Sequence, residues 1–362
     1  MQHEINTTTL YFLLRIAIDT KSVSANAFQG VAWSEVYKLA RKQGVLAVAF
    51  DGLTKLFEHD EAFAKSFPQP LKLQWINAVF NIEQRYERQR AVCAELAEKW
   101  AEQGIKTLCL KGMAFSTFYP VSEHRECGDF DCYLYDDYAK GNAIARELGA
   151  VVDDGWYKHS EIVYRKVMIE NHQYIVAVRG GKRMKQLHTL LDDIARNGER
   201  RAIFDTQIEM PSPMFNALFM NHHSLTHFLS EGIRLRHILD WALFLRKEQH
   251  NLDWERFYAL CEEYNMRAFV DCATALAVKI FGVKVESEQI IAESQYAERV
   301  LSSILHDDTA VFSQGVGKWR TRVLLLRNLF AARWKYKAFS THNIFSKLVS
   351  LAWGFITHPE EE

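Results

Sequence analysis

The chain has 362 residues, nearly half of them apolar and a quarter charged, with a formal net charge of −1. That length accommodates two domains or one domain with large helical extensions. The near-zero charge excludes a global field that would select a nucleic acid or membrane partner. Six cysteines (Cys93, Cys109, Cys127, Cys132, Cys261 and Cys272) form no CxxC pair. Several sit inside apolar runs, as free buried thiols in a reducing compartment do. No run of about 20 apolar residues is long enough to span a bilayer. The start of the chain, Met1 to Glu4, lacks a basic leader, and Arg15 and Asp19 interrupt the apolar stretch that follows. The expectation is a cytoplasmic protein without a transmembrane segment.

Residues 7 to 100 predict helices. Leu10, Leu13, Leu14 and Ala17 mark one apolar face, and Trp33, Val36, Tyr37 and Ala40 mark another, with Gly44 at a helix stop. Ile82, Tyr86, Cys93, Leu96 and Trp100 form a stripe on a long helix that Gln103-Gly104 closes. The pattern then changes. Ile105 to Leu110 predicts a buried strand, followed by the Lys111-Gly112 turn, a short helical stretch from Met113 to Tyr119, and a polar loop from Ser122 to Cys127. Asp129 to Tyr135 predicts a second strand, and Asp136 to Leu148 a helix ending at Gly149. Two further strands, 161–165 and 167–178, turn at Arg165-Lys166 and close at Gly180-Gly181. From 183 onward the stripes are again helical, and a basic region runs from Val316 to Trp353. The expected fold is therefore α+β and mostly helical: a helical region over 1–100, a small mixed-sheet α/β core over 101–200, and a second helical region over 201–362 with a basic C-terminal segment.

Strand alternation puts Asp129 and Asp131 on one face and Phe130 and Cys132 on the other. Two neighbouring carboxylates repel unless compensated, and a divalent cation with oxygen ligands, Mg²⁺ above all, is the usual compensation. Taken alone, the pair reads equally as a solvated edge strand. Its context adds Lys111 and Gly112 at a strand-to-helix turn, where a glycine lets backbone approach a phosphate and a helix start favours an anion. It also adds Glu170, which shares a strand face with Met168 and His172 and is costly in an apolar strand unless paired or metal-bound. The bland counterparts are a surface lysine in a plain turn and an exposed strand edge. Three carboxylates, two of them on one strand, suit phosphoryl transfer assisted by two metal ions.

The stretch Leu110-Lys111-Gly112, Tyr119-Pro120, Arg125, Gly128-Asp129-Phe130-Asp131 resembles a family of bacterial, poorly characterised nucleotidyltransferases within the polymerase-beta-like superfamily. Val167 to His172 resembles that family's third-acid strand, and His223, His227, Phe228, Arg236, Asp240 and Trp241 its helical region, the whole covering about residues 30 to 285. The resemblance implies that Asp129 and Asp131 are metal ligands and Glu170 the third carboxylate. It places Lys111-Gly112 where the superfamily has a Gly-Ser phosphate loop. The sequence departs there, because no serine follows Gly112, and the spacing from Gly112 to Asp129 is long. Arg125 and Gly128 stand beside the acidic strand as contacts to phosphate or substrate. The activity implied is transfer of a nucleoside monophosphate from an NTP, with Mg²⁺ or Mn²⁺, to an unidentified acceptor: a small molecule, sugar phosphate, protein or RNA. The alternative is an inactive nucleotide-binding or regulatory protein of the same fold.

Three features stand outside that reading. His222, His223 and His227, with His237 and Asp240, suggest either a histidine metal site of a phosphohydrolase or a polar helix face lining the cleft. Arg179, Lys182, Arg183 and Lys185 form either an anion-binding patch or a solvated turn. From Thr309 to Pro359 there is no acid, while basic residues interleave with Trp319, Phe330 and Trp334. The segment 316–353 reads either as a contact to an anionic membrane or nucleic acid, or as a packing helix with a solvated basic face.

Overall fold

The structure, a computed structural model, describes residues 2–19, 28–306 and 332–340. Apart from 332–340, the basic segment 316–353 lies outside the described residues. Helices α1 (Gln2–Ile18), α2 (Trp33–Lys42), α3 (Leu46–His59), α4 (Glu61–Ser66) and α5 (Gln69–Ala101) form the N-terminal part. Their predicted apolar stripes are buried, apart from the half-buried Trp33, and include Ile82, Tyr86, Cys93, Leu96 and Trp100 along α5. Gly104, at φ +75°, turns the chain out of that helix, a left-handed conformation that costs glycine little.

The α/β part then runs β1 (Thr107–Cys109), α6 (Met113–Ser116), β2 (Phe130–Tyr133), α7 (Tyr138–Glu147), β3 (Val151–Asp153), β4 (His159–Tyr164), β5 (Val167–His172), α8 (Lys182–Asn197), β6 (Arg201–Ala202) and β7 (Ile208–Met210). The C-terminal part is α9 (Pro213–Ser230), α10 (Leu235–Glu248), α11 (Trp254–Glu263), α12 (Arg267–Phe281) and α13 (Ala297–His306). The expected class holds: mostly helical α+β around a mixed sheet.

Among the described residues the sheet has seven strands in the order β3-β4-β5-β2-β1-β7-β6. β2 runs parallel to β5 and β1 parallel to β7, and the other pairs are antiparallel. Three strands were not expected. β3, β6 and β7 span three residues or fewer, too short for alternation to register, and only tertiary pairing fixes them. The last two lie beyond residue 200, where helices alone were expected. The strand expected over 167–178 stops at His172, because the N–H groups of Gln173 and Tyr174 both donate to the Lys158 carbonyl and end the ladder. Arg165 and Lys166 make the expected turn with φ of +48° and +65°, the pair of left-handed residues of a type I′ hairpin.

One face of the sheet packs on α5 and α7. Phe130, Cys132, Ile162 and Ile169 are buried there with Leu96 and Trp100, and the Trp100 indole donates to the Gly141 carbonyl at 3.1 Å. A polar knot ties α7 to the two central hairpin strands. Asn142 Oδ1 accepts from Ser160 Oγ and from Asn171 Nδ2, both at 2.8 Å, and Asn171 also donates to the Tyr138 carbonyl. All six cysteines are buried free thiols. Because alternation turns every second side chain the other way, this apolar packing directs Asp131, Glu170, His172 and His159 to the opposite face.

The knot generates a prediction. Asn142→Ala strips the acceptor from two fully buried donors, which costs about 1–3 kcal/mol per orphaned group. Urea denaturation of the variant is expected to show a midpoint lowered accordingly with an unchanged m-value.

Candidate functional site

β2 enters the site from a loop with no regular structure over 126–129, so Asp129 sits one residue before the strand and its side chain is 33% exposed. Asp131 lies within the strand and is fully buried. The parallel register sets Asp131 beside Glu170 on β5. Carboxylate oxygens of Asp129, Asp131 and Glu170 come within 4.8 Å of one another. Asp131 Oδ2 is buried without a hydrogen-bond partner. An orphaned buried carboxylate oxygen amid two further carboxylates is the donor set of a hard divalent cation.

Two cationic groups offset the charge. Lys111, leaving the end of β1, places Nζ 3.1 Å from Asp131 Oδ1 and 3.7 Å from Asp129 Oδ2. Burial works against its charge, but Asp131, Asp129 and Glu170 outweigh burial and hold the ammonium above its usual range. His172 Nε2 lies 3.1 Å from Asp131 Oδ1 and 3.3 Å from Glu170 Oε2. The acids part accordingly. Burial would raise Asp131, yet Lys111 and His172 overcome it and hold the group well below the carboxylate range. Asp129, pushed by burial and by the Asp131 charge, is raised. At Glu170 burial is the largest influence and pushes the group up, but the hydrogen bond from His172 together with the charges of His172 and His159 outweighs it and lowers the carboxyl.

Gly112 takes φ +62°, a left-handed conformation that favours glycine, at a turn in ordinary contact with the Asp129 carbonyl of the acidic loop. The helix it opens is a single turn, Met113–Ser116, shorter than expected. Ser116 takes no part in the site: it is fully buried and bonds Tyr86 and the Met113 carbonyl, both at 2.7 Å. Gly128 has open space where a Cβ would stand, and its carbonyl accepts from Gln89 Nε2 at 3.3 Å.

Lys111, Gly112, Arg125, Gly128, Asp129 and Asp131 line a narrow pocket of about 50 Å³ with residues of α9 and α10. Arg125 is buried, and its guanidinium grips Asp240 through two bonds, Nε to Oδ1 at 2.9 Å and Nη2 to Oδ2 at 2.8 Å. Tyr119 donates to the same carboxylate at 2.8 Å. With Asp240 so engaged, the histidine metal site weighed as one reading of His222–Asp240 does not assemble among the described residues. Among the described residues, the metal-spaced groups are Asp129-Asp131-Glu170 and His159-Glu170-His172. His223 instead stacks on Phe219 and meets His227 edge to face along α9, and burial pushes His222 down to about 4 and His223 and His237 well below their usual value. Of these, His223 lies close enough to Asp131 for its charge to act on it. In the Arg179 patch, Arg179 stacks on Tyr157 at 4.0 Å, and Lys182, Arg183 and Lys185 are exposed on the first turn of α8.

Sequence reasoning missed Lys158 and His159 and gave His172 no role. Lys158 is close enough to Asp131, Lys111, Glu170 and Asp129 for their charges to act on it, and burial lowers its affinity for a proton. The signal that finds these residues is the hairpin register: counted back from Arg165-Lys166, His159 stands opposite His172.

The acidic loop is anchored on its other side by His124, whose ring nitrogens lie 2.8 Å from Asp51 Oδ2 on α3 and 3.0 Å from Glu83 Oε1 on α5.

A family model described as uncharacterised nucleotidyltransferase matches residues 29–282. No curated protein and no solved structure gives a significant match.

Two predictions follow from these anchors. Asp240→Ala leaves Arg125 buried and uncompensated, a loss of about 3–5 kcal/mol. The pair Arg125→Met with Asp240→Leu is expected to recover most of that loss in thermal denaturation. At His124, Asp51 and Glu83 outweigh burial and raise the imidazole above 6.5. Its contribution to stability is therefore complete below its ordinary value of about 6.5 and fades as pH climbs through the raised one. Urea midpoints of the wild type and His124→Gln are expected to converge between pH 6 and pH 9.

Proposed function

The chain belongs to the uncharacterised nucleotidyltransferase family, whose model covers well over half of it, and we propose that it moves a nucleoside monophosphate from an NTP to an acceptor, with pyrophosphate leaving. Nucleotidyl transfer is the function class that the family supports. The observation that carries the finer reading is the convergence of Asp129, Asp131 and Glu170 within 4.8 Å around the partnerless Asp131 Oδ2.

In this reading those three carboxylates hold Mg²⁺ or Mn²⁺. The bound ions supply charge neutralisation on the triphosphate and lower the pKa of the attacking hydroxyl. The protein's own groups do the rest. Asp131, buried and held ionised, fixes the donor geometry, and Asp129, more exposed, adapts at the mouth. Lys111 offers its ammonium to a phosphate oxygen, and the Gly112 and Gly128 backbones admit the triphosphate without steric conflict. Lys158 adds a second cation from the hairpin side. Arg125 positions the loop through Asp240 beneath the phosphate site. His223 and His237 line the far wall as neutral rings, which hydrogen-bond and stack without adding charge. No helix among the described residues is long and apolar enough to cross a membrane, so the NTP and acceptor are met without a spanning segment in those residues.

A second reading, a nucleotide-binding or regulatory protein without turnover, draws on one observation. The Lys111 ammonium already bridges Asp129 and Asp131 and is able to substitute for a metal's charge there.

The test combines α-labelled NTPs, Mg²⁺ or Mn²⁺ and a panel of acceptors, with pyrophosphate release as the readout. Asp129→Asn is expected to lower turnover by about a hundredfold or more, the scale of losing one preorganised electrostatic contact. Without metal the same variant is expected to melt at or above the wild-type temperature, because it relieves repulsion from Asp131. Mg²⁺ with NTP is expected to stabilise the wild type by about 2.7 kcal/mol at one hundred times Kd, and the variant far less. Wild-type turnover that survives in Asp129→Asn with Asp131→Asn overturns the assignment. Metal-dependent stabilisation without pyrophosphate release across the panel selects the second reading.

A further inference from the structure

Beside the carboxylate triad, the same sheet face carries a donor set of different chemistry. The hairpin register brings His159 on β4 opposite His172 on β5, with ring centroids 5.2 Å apart, and Glu170 stands one pair along on the same face. One donor atom from each of His159, Glu170 and His172 lies within 4.8 Å of the other two.

The hydrogen bonding of the two rings is unusual for histidines that only pack. His172 Nδ1 faces the Tyr174 carbonyl at 3.3 Å. A carbonyl only accepts, so Nδ1 carries a proton, and Nε2 is the nitrogen free to give up its own proton and bind a metal ion. Nε2 faces Glu170 Oε2, 3.3 Å away, and Asp131 Oδ1, 3.1 Å away. In the metal-free protein a second proton on the ring sits between them, beside the Lys111 ammonium at Asp131, and a bound metal ion would take that proton's place. A ring fixed by an N–H to a backbone carbonyl, with its other nitrogen turned to carboxylates, is how metal-binding histidines are set. His159 is uncommitted as well. Its Nδ1 is buried without a hydrogen-bond partner, and its Nε2 stands 3.8 Å from Glu170 Oε1, beyond hydrogen-bond distance. Donors each about 2.0–2.2 Å from one tetrahedral ion stand about 3.3–3.6 Å apart. The His172–Glu170 separation already matches, and His159, at the hairpin's edge with its side chain 14% exposed, needs only a small rotation.

We propose that His159, Glu170 and His172 form a second divalent-cation site, of nitrogen and oxygen donors, that shares Glu170 with the carboxylate triad and takes Zn²⁺ or a similar imidazole-preferring ion over Mg²⁺. Imidazole favours Zn²⁺ and its neighbours, whereas Mg²⁺ selects all-oxygen surroundings. Two histidines and one glutamate leave a coordination position open to an oxygen donor, which is water or a hydroxyl of the acceptor. The site stands on its own donors and does not depend on the nucleotidyl-transfer reading.

The experiment titrates full-length protein with Zn²⁺ by calorimetry in a large excess of Mg²⁺, and reads the zinc-loaded protein by X-ray absorption. The expected result is stoichiometric binding with imidazole nitrogen in the coordination shell. His159→Ala is expected to weaken that binding by about tenfold or more, the loss that even outer-shell partners produce. Because His159 lies outside the core, the variant is expected to keep the wild-type melting temperature without metal. Asp129→Asn, outside the proposed donor set, is expected to retain the zinc affinity while losing the Mg²⁺-NTP response, so the two readings fail separately. Zinc affinity unchanged in His159→Ala, or a shell of oxygen alone, overturns the proposal and leaves His172 as a positioning residue for Asp131 and Glu170.

Discussion

Three carboxylates within 4.8 Å of one another on one sheet face repel at a scale of about 3–4 kcal/mol per pair for an effective dielectric near 20. Much of the surrounding architecture answers that repulsion. Lys111 supplies an ammonium from the end of β1, and His172 turns its ring to two of the acids. The strands between them are pinned from behind by Asn142, whose amide oxygen gathers donors from β4 and β5. A sheet with an apolar front face would need none of these.

The same constraint explains why so small a sheet carries helical regions on both sides. The loop before Asp129 has no regular hydrogen bonding of its own, so it would yield to the repulsion if left free. It is held from several directions. Arg125 reaches α10 through Asp240, His124 reaches α3 and α5 through Asp51 and Glu83, and Gly128 is bonded by Gln89 of α5. Each tie joins the loop to a helix distant in sequence, and the Arg125–Asp240 pair is fully enclosed. Removing either partner of such a pair is costly even though the intact pair adds little net stability. The arrangement fixes geometry more than it adds free energy.

How much of this was legible in the sequence follows from how local each signal is. The stripe on α5, the Arg165-Lys166 turn and the alternation around Phe130 and Cys132 are properties of adjacent residues, and the structure has them. The convergence of Asp129, Asp131 and Glu170 required only that β2 and β5 be neighbours. By contrast, β3, β6 and β7 are too short to announce themselves, and the parallel pairing of β7 with β1 joins segments a hundred residues apart. Arg125 reads from sequence as a free cation beside a phosphate site, and only the fold reveals that Asp240, on α10, holds it. His159 was within reach of counting, since a two-residue turn fixes every pair up the hairpin. Its significance was hidden because a lone histidine at a strand's first position resembles any polar strand end.

The two faces of the sheet have different physical tasks. Behind, Phe130, Cys132, Ile162 and Ile169 are close to fully buried, so their positions are set by packing against α5 and α7 and tolerate little change in volume. In front, Asp131 is equally buried but leaves one oxygen without a partner, a defect costing about 1–3 kcal/mol that a structure under selection for stability alone would remove by substitution. Strand alternation makes the two tasks inseparable: every residue that packs behind aims its neighbour in front. The rigidity of Phe130 and Cys132 is therefore what holds Asp131 against its like-charged neighbours. The stability gained on one face allows the other to keep a strained, electron-rich cluster ready for cations.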